Sequence, residues 1–154
     1  MDDDEQRSWR ALAMVAMLLP GALDAQLQRD SDLTHFGYFV LVMLSEEPAR
    51  SLRMSDLAAR AAASPSRLSH VVARLEQRGW VRRVRSDSDG RSTIAELTED
   101  GYRKITEAAP GHVEKVRSLV LDALTAEQVQ QLGEICGAVL RRIDPEGRMG
   151  TRPV

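Results

Sequence analysis

The segment from Ser64 to Trp80 constrains the fold more tightly than any other part of the chain. Its apolar residues recur three to four positions apart, which indicates a helix with one buried side. They are Leu68, Val71, Val72 and Leu75. Ser64 followed by Pro65 is typical of a helix start, since serine caps free amides and proline already has helical backbone geometry. Gly79 is typical of a left-handed helix end, after which Trp80 packs back on Leu75.

The segments on either side complete a recognisable order of elements. A short helix is predicted over 56–61, capped by Ser55 and with Leu57 facing inward. A turn joins it to the Ser64 helix, so the pair has the layout of a helix-turn-helix. Residues 80–85 and 92–97 read as two strands of a β-hairpin, because turn-forming residues are dense between them. This order predicts a winged helix.

The N-terminal third of the chain is predicted to be helical. An apolar stripe runs along residues 5–29, formed by Trp9, Leu12, Ala16, Leu19, Leu23 and Leu27. Pro20 interrupts this pattern, so we expect a kink or two pieces. Thr34 is the expected cap of a second helix, whose apolar run over 36–44 indicates burial on most sides.

The C-terminal third is also predicted to be helical. Thr98 is the expected cap of a helix that runs towards Leu124, broken or bent near Pro110. The capping box that starts at Thr125 opens a last helix. The apolar stripe of that helix consists of Val129, Leu132, Ile135, Cys136, Val139, Leu140 and Ile143.

The fold class is therefore mainly α with a small β-hairpin (α+β), in one domain over 1–154. We expect a winged helix-turn-helix lobe over 33–102, flanked by helices over 5–30 and 103–143, with a flexible tail over 144–154. The apolar stripes of the end helices are longer than a lobe of about 70 residues can cover, and exposed stripes usually mark an interface. A two-fold dimer would place two exposed helices about 34 Å apart, one turn of a DNA duplex.

The residues of the helix that starts after Ser64 that are not predicted to be buried form a polar surface. Its outward or marginal residues are Ser66, Arg67, Ser69, His70, Ala73 and Arg74. Arg67, His70 and Arg74 lie on one side, and the small residues between them allow close backbone approach. Arginine contacts guanine or phosphate, serine contacts either, and the helix start at Ser64 offers amides to a phosphate. The pattern is typical of a helix that reads DNA, although each of these residues could also be a solvated surface residue.

The charge distribution favours the same interpretation. Residues 50–92 contain ten arginines and four acids, a local charge of +6 within a chain whose net charge is −2. Of the 21 basic residues in the chain, 19 are arginine, the residue suited to bidentate contacts with phosphate or guanine. A basic centre between acidic ends indicates a polyanion-binding module, with a solvated basic face as the alternative.

Several short motifs resemble the multiple antibiotic resistance regulator (MarR) family over about residues 33–102. They are MSDLA at 54–58, SPSRLS at 64–69, VARLEQRGWVRR at 72–83, DGR at 89–91 and LTEDG at 97–101. The resemblance implies a homodimeric, ligand-responsive transcriptional regulator, usually a repressor, that binds double-stranded DNA. In this family the first and last helices of two protomers interlock to form the dimer.

The resemblance also implies roles for individual residues. Ser66, Arg67 and His70 would face bases, and Arg74 would contact a phosphate or form an internal ion pair. In the wing, Asp89 would brace Arg91, which would enter the minor groove. Gly90 departs from the basic residue that many members carry there, so wing contact would depend on Arg91 and Arg85.

A small-molecule effector would bind between the lobe and the dimer helices, as the resemblance implies. The residues predicted to border that cleft are Trp9, His35, Phe36, Tyr38 and Phe39. Ordinary core packing is the alternative for each of them, and no residue identifies the ligand.

Other functions have less support in the sequence. A winged helix can dock proteins instead of DNA, but its surface would then be apolar or mixed, not rich in arginine. Cys136 permits a thiol-based redox sensor, although a cysteine on an apolar helix side usually behaves as a small hydrophobe. We expect no metal or cofactor, because His35, His70 and His112 share no ligand spacing. Glycine-rich phosphate loops, G-x-S-x-G and H-E-x-x-H are absent, so we expect no enzyme.

The sequence also indicates where the protein is located. The longest apolar stretches reach about half of the ~20 residues that a membrane-spanning helix needs, so we expect no contact with membranes. The acidic N-terminus, Asp2 to Glu5, lacks the basic region of a secretory signal. We therefore expect a cytoplasmic protein that associates with the nucleoid when it binds DNA.

The charge argument makes a quantitative prediction for DNA binding. If a dimer neutralises about eight phosphates, the logarithm of its affinity should fall with the logarithm of salt concentration at a slope of about −7, because counterions are released. Titration of a labelled duplex by fluorescence anisotropy at several salt concentrations measures the slope. An affinity that added salt leaves unchanged would contradict DNA as the partner.

Overall fold

The computed structural model describes residues 1–85 and 92–147, which contain six α-helices and a three-stranded sheet. In chain order they are α1 (Asp3–Ser31), α2 (His35–Ser45), β1 (Ser51–Arg53), α3 (Met54–Arg60), α4 (Pro65–Gln77), β2 (Val81–Arg85), β3 (Thr93–Leu97), α5 (Glu99–Leu119), a 3₁₀ turn (Leu121–Ala123) and α6 (Ala126–Ile143). The prediction of a mainly helical winged helix with a small β element is confirmed.

Most helix starts follow the predicted capping chemistry. Four helices begin after a serine or threonine whose side-chain oxygen accepts the backbone N–H three residues further on. These residues are Thr34, Ser64, Thr98 and Thr125. The prediction for α3 is wrong, because that helix begins at Met54 and has no side-chain cap. The chain passes directly from β1 into α3, and the Ser55 hydroxyl instead contacts Asp56.

The two prolines inside the long helices do not divide them. α1 continues through Pro20 and α5 continues through Pro110, so of the two outcomes predicted at each proline, a bend or a break, the break does not occur. A proline removes one helical hydrogen bond and frees one carbonyl. Both prolines lie on exposed helix sides, where water can solvate the freed carbonyl. The helix predicted to run towards Leu124 ends at Leu119, before the 3₁₀ turn.

The sheet has the strand order β1-β3-β2, with both pairings antiparallel. The predicted hairpin corresponds to β2 and β3, in which Val84 pairs with Ile94. The sequence analysis missed β1, a three-residue strand in which Leu52 pairs with Ala95. The predicted hairpin turn falls on residues 86–91, and the predicted tail falls largely on residues 148–154. Both segments lie outside the described residues.

The core of the lobe lies between α2, α3, α4 and the sheet. Its fully buried side chains include Leu41, Leu44, Leu57, Leu68 and Val72. Leu75 is also buried and Val71 is partly buried, so α4 turns its predicted apolar side inward. Packing of this kind fixes the opposite side of α4 towards solvent.

The end of α4 forms the predicted turn. Gly79 has a φ of +75°, its N–H donates to the Glu76 carbonyl, and the Trp80 N–H donates to the Leu75 carbonyl. These two bonds define a Schellman motif, which redirects the chain into β2. The Trp80 carbonyl then accepts the Thr98 N–H, so the same junction also holds the start of α5.

The end helices expose much of their apolar surface. The C-terminal half of α1 packs on α5 and buries Leu23 and Leu27, whereas its N-terminal half exposes large apolar side chains. These are Trp9, Leu12, Met14, Val15, Met17 and Leu18. On α6 no residue is buried.

By length and composition α1 could also cross a membrane, with a mean hydropathy of 1.3 over 18 residues. Because α1 is anchored to α5, we interpret its apolar side as a protein interface.

The junction at Trp80 makes a prediction for Gly101, the third residue of α5. A Cβ at this position would lie 2.1 Å from the Trp80 carbonyl oxygen and 2.7 Å from Leu97 Cδ1. We expect Gly101→Ala to lower the free energy of unfolding by about 1–3 kcal/mol, since the backbone cannot yield without displacing the sheet. Urea unfolding measures the change.

The matched control for this substitution is Gly21→Ala. Gly21 lies inside α1 with no atom within 4 Å of an added Cβ. Alanine should therefore leave stability unchanged or raise it by up to about 1 kcal/mol, because it is the better helix former. Equal stabilities of the two variants would contradict the close approach at Trp80.

Candidate nucleic-acid interface

The outward side of α4 carries the residues that the sequence predicts. Ser64, Ser66, Arg67, Ser69, His70 and Arg74 are exposed, and Ala73 is partly exposed. The Ser64 oxygen accepts the Arg67 N–H at 3.2 Å, which fixes the first turn of α4. The positive end of the helix dipole is therefore at the surface next to Arg67, an arrangement that favours an anion.

Arg67 is held by an aromatic ring. Its guanidinium carbon lies 4.2 Å from the centre of the Phe36 ring, which belongs to α2. The distance is that of a cation–π contact. Phe36 is itself partly buried against the lobe core. The sequence analysis places Phe36 among the effector-cleft residues, whereas the described contact joins it to the outward side of α4.

Arg74 lies at the edge of a cavity of about 320 Å³ between α1 and the end of α4. Trp80 and Arg78 also line this cavity. The acid that could pair with Arg74, Asp32, instead forms an ion pair with Arg78. In residues 1–85 and 92–147 no carboxylate lies within ion-pair distance of Arg74. The internal ion pair, one of the two roles that the sequence left open for Arg74, is therefore not formed within the described residues.

Much of the basic charge counted in the sequence is neutralised by neighbouring acids. Five of the ten arginines between positions 50 and 92 form ion pairs with carboxylates, four of which come from outside that range. The pairs are Arg50–Glu99, Arg60–Glu47, Arg78–Asp32, Arg82–Glu96 and Arg83–Glu76. Of these ten, the arginines within the described ranges that have no such pair are Arg53, Arg67, Arg74 and Arg85. The uncompensated charge is therefore concentrated on α4 and at the ends of β1 and β2.

Glu76 joins α4 to the wing. One of its carboxylate oxygens accepts the Arg83 backbone N–H at 2.9 Å, and the other accepts the Arg83 Nε–H at 2.8 Å. These bonds from Arg83 hold the pKa of Glu76 below its ordinary value. The contact ties the middle of β2 to α4. Arg85 is exposed at the far end of that strand, whereas Asp89 and Arg91 lie outside the described residues.

A second group of polar side chains lies where α1, α2 and α5 meet. The His112 ring lies 4.7 Å from the Tyr38 ring and 5.7 Å from the His35 ring, between ring centres. Burial lowers the pKa of both histidines; Asp24 opposes this shift at His35, and His35 reinforces it at His112. The sequence analysis placed His35 and Tyr38 at the effector cleft but missed His112, because the contact depends on packing of distant segments.

In the described residues, no ring contact joins the remaining predicted cleft residues to this group. Trp9 is 59% exposed and Phe39 is 44% exposed, so neither has a closed pocket within one protomer. Cys136 is also exposed, on the apolar side of α6. No group of three or more His, Cys, Asp or Glu residues in the described part of the chain could hold a metal ion.

Comparisons with known proteins agree with this architecture. The sequence model of the MarR family matches residues 33–93. Sco3205, a MarR family transcriptional regulator from Streptomyces coelicolor whose structure was solved in complex with DNA, is 48% identical, with a TM-score of 0.89. That match covers 95% of this chain and 91% of Sco3205.

Two further relatives extend the comparison. AbsC, a MarR family transcriptional regulator from Streptomyces coelicolor, is 37% identical, with a TM-score of 0.86 and coverage of 95% of this chain and 98% of AbsC. The transcriptional repressor MprA from Escherichia coli is 29% identical over 107 residues, which is 70% of this chain. That match spans 60% of the length of MprA, less than two thirds.

The contact between Glu76 and Arg83 makes a prediction about pH. Because the pKa of Glu76 is lowered in the folded state, its carboxylate stabilises the fold above the ordinary carboxyl pKa of about 4.3, and this contribution is lost as the pH falls through the folded pKa. We expect Glu76→Gln to be less stable than wild type at about pH 7, and the difference to shrink as the pH falls below the ordinary carboxyl pKa.

Urea unfolding at one protomer concentration over this pH range measures the difference. Glu114→Gln is the matched control, since Glu114 is an exposed residue of α5 for which the described residues provide no ion pair. A stability difference for Glu76→Gln that persists unchanged at low pH would show that the charge of Glu76 is not its cause.

Proposed function

The chain belongs to the MarR family, and on this premise we propose that it is a sequence-specific transcriptional repressor that binds double-stranded DNA as a homodimer. It acts in the cytoplasm, on the nucleoid, and it has no enzymatic activity. The winged helix-turn-helix lobe is formed by residues 33–102, the dimerisation helices by 5–30 and 103–143, and the tail by 144–154. The relatives named as repressors support the direction of regulation.

The observation that carries the proposal is the contrast between paired and unpaired arginines. Five other arginines of the lobe are neutralised by acids, whereas in the described residues Arg67 and Arg74 on the outward side of α4 are not. Arg53 and Arg85, at the ends of β1 and β2, are the other two without such a pair. Unpaired guanidinium groups keep their donors for guanine edges and phosphates. We assign base contacts to Ser66, Arg67 and His70, and phosphate contacts to Arg74 and to the helix start at Ser64. Ser69 lies close enough on the same surface to reach either.

The wing supplies the second contact with DNA. Arg85 is exposed at the end of β2, and the Glu76–Arg83 contact sets the direction in which that strand leaves α4. We assign Arg85 to the DNA backbone. From the sequence we assign Arg91 to the minor groove, braced by Asp89.

Dimerisation follows from the apolar surface of the end helices. Large side chains such as Met17, Leu18 and Ile135 are 60–74% exposed in one protomer. A surface of this size is not stable in water unless a partner covers it, and the stripes on α1 and α6 offer the same surface to a second copy. The dimer presents two α4 helices to successive major grooves about 34 Å apart, so it prefers a pseudo-palindromic site.

An effector would act on the spacing of these helices. The cluster of His35, Tyr38 and His112 lies where the dimer helices meet the lobe, and Trp9 and Phe39 remain open for a ligand that the second protomer helps to enclose. A ligand that binds better to one lobe spacing shifts the population towards it. A spacing that no longer matches the duplex repeat releases the DNA.

The alternatives have weaker support. A wing that docks proteins would present an apolar surface, but the outward side of α4 is polar and carries unpaired cations. Redox sensing at Cys136 has no described neighbour in its favour, and the cysteine lies on the side of α6 that we assign to the dimer.

Selection of bound sequences from a random DNA pool tests the function. We expect enrichment of a two-fold symmetric motif whose half-sites are centred about 10 base pairs, or a multiple of that spacing, apart. If no sequence is enriched after several rounds, sequence-specific DNA binding is excluded. Protein docking would then remain as the function of the lobe.

The dimer proposal predicts the effect of a charge on the apolar side of α6. Ile135 is 60% exposed in the protomer, so Ile135→Glu should not disturb the protomer core. We expect this variant to be monomeric in sedimentation or size-exclusion experiments, because a buried unpaired carboxylate is costly. DNA affinity should fall by orders of magnitude, since only one half-site is bound.

Gln130→Glu is the matched control for Ile135→Glu. It adds the same charge to the opposite side of α6, where Gln130 contacts Glu134. This variant should remain dimeric and bind DNA. A dimeric Ile135→Glu would place the interface elsewhere.

A further inference from the structure

The contact of Arg67 with the Phe36 ring differs from the other arginine–aromatic contacts in the described residues. Arg50 lies 4.2 Å from the centre of the Tyr102 ring but also donates to Glu99 at 2.8 Å. Arg78 lies 5.7 Å from the Trp80 ring and is paired with Asp32. Within residues 1–85 and 92–147, the Arg67 guanidinium has the ring and no carboxylate. The ring is therefore what holds it.

The kind of contact determines which hydrogen-bond donors of the guanidinium remain available for DNA. A carboxylate accepts hydrogen bonds from the N–H donors of arginine, whereas an aromatic ring attracts the cation through its π face. Because no carboxylate in the described residues pairs with Arg67, its N–H donors are not taken by an acid while the ring holds the guanidinium. This is the requirement for bidentate contact with a guanine edge, which needs two donors in one fixed direction.

The ring is fixed by the start of α2. The residues before and after Phe36 in the chain are both held by hydrogen bonds: the His35 N–H donates to Asp24 at 2.8 Å and the Gly37 N–H donates to Thr34 at 2.9 Å. Phe36 is also packed against the buried core. On the other side of the contact, the backbone of Arg67 is fixed by its bond to Ser64. Both partners are therefore held by rigid elements before any ligand arrives.

We propose that Phe36 is a positioning residue for base recognition: its ring orients the Arg67 guanidinium, and this aromatic side chain of α2 thereby sets the base preference at the Arg67 contact. The inference rests on the proposed function. Orienting the long arginine side chain in advance reduces the rotamer entropy that would otherwise be lost on binding. Loss of the ring should weaken affinity and blur discrimination at one base pair, without changing the number of phosphates neutralised.

A double-mutant cycle tests the coupling of the two residues. The proteins are wild type, Phe36→Leu, Arg67→Ala and the double variant, and the probes are the duplex selected from the random pool and duplexes altered at each half-site position. Binding is measured by fluorescence anisotropy at one salt concentration. The position read by Arg67 is the one at which Arg67→Ala loses its preference.

We expect Phe36→Leu to bind the selected duplex about two- to five-fold more weakly than wild type, the range of an exposed cation–π contact. In the Arg67→Ala background the same change should have no effect. Discrimination should fall at the Arg67 position only, and the salt slope should stay unchanged. Phe36→Tyr keeps the ring and should keep wild-type affinity.

The matched control is Tyr102→Leu, which removes a ring at the same 4.2 Å from the guanidinium of Arg50. It should leave binding unchanged, because Arg50 is paired with Glu99 at the other end of the lobe. Thermal unfolding by circular dichroism verifies that each variant is folded. Phe36→Met, which also fills the space without a ring, replaces Phe36→Leu in the cycle if the leucine variant does not fold.

The outcomes separate this inference from the proposed function. If Phe36→Leu lowers DNA affinity equally in the wild-type and Arg67→Ala backgrounds, Phe36 only supports the fold. If Phe36→Leu binds DNA more tightly than wild type, the ring withholds Arg67 from DNA. Either result overturns this inference and leaves the proposed function intact. If Arg67→Ala binds every duplex as wild type does, base reading by Arg67 is overturned together with the role of Phe36.

Discussion

The rest of the structure depends on the burial of one side of α4. Leu68 and Val72 are fully buried between α2, α3 and the sheet, so the helix cannot rotate without exposing them. The outward direction of Arg67 and His70 follows from this constraint and needs no contact of their own. The Schellman turn at Gly79 then ends α4 at a fixed point, so the wing begins in a fixed relation to the reading surface.

Ion pairing limits the uncompensated positive charge of the lobe to part of its surface. Five of the lobe arginines are neutralised by acids, whereas in the described residues those that face outward from α4 have an aromatic ring or no carboxylate partner. A protein that carried all its arginines unpaired would attract nucleic acid on every side and destabilise itself by repulsion. Pairing some of them restricts the attraction to one side. The same logic makes Phe36 a suitable support for Arg67, because a ring fixes a cation without consuming its donors.

Local chemistry predicted much of this protein. The caps at Thr34, Ser64 and Thr98, the left-handed Gly79 and the two longer strands depend on residues close together in the chain, and the structure has them where the sequence places them. The predictions failed where neighbours override local preference. Pro20 does not divide α1, since one lost hydrogen bond is minor in a helix of 29 residues whose end is packed on α5. The strand β1 is too short to leave a pattern and exists because β3 pairs with it.

The sequence by itself determined the class of fold, the side of α4 that faces outward, the family and the concentration of arginine in the lobe. All of these follow from periodicity, capping and motif order, which are local. Only the tertiary structure decided which arginines are neutralised, which ring lies beneath Arg67, and that His112 joins His35 and Tyr38. These are contacts between residues distant in the chain, and their partners are chosen by how the helices pack, which no local pattern records.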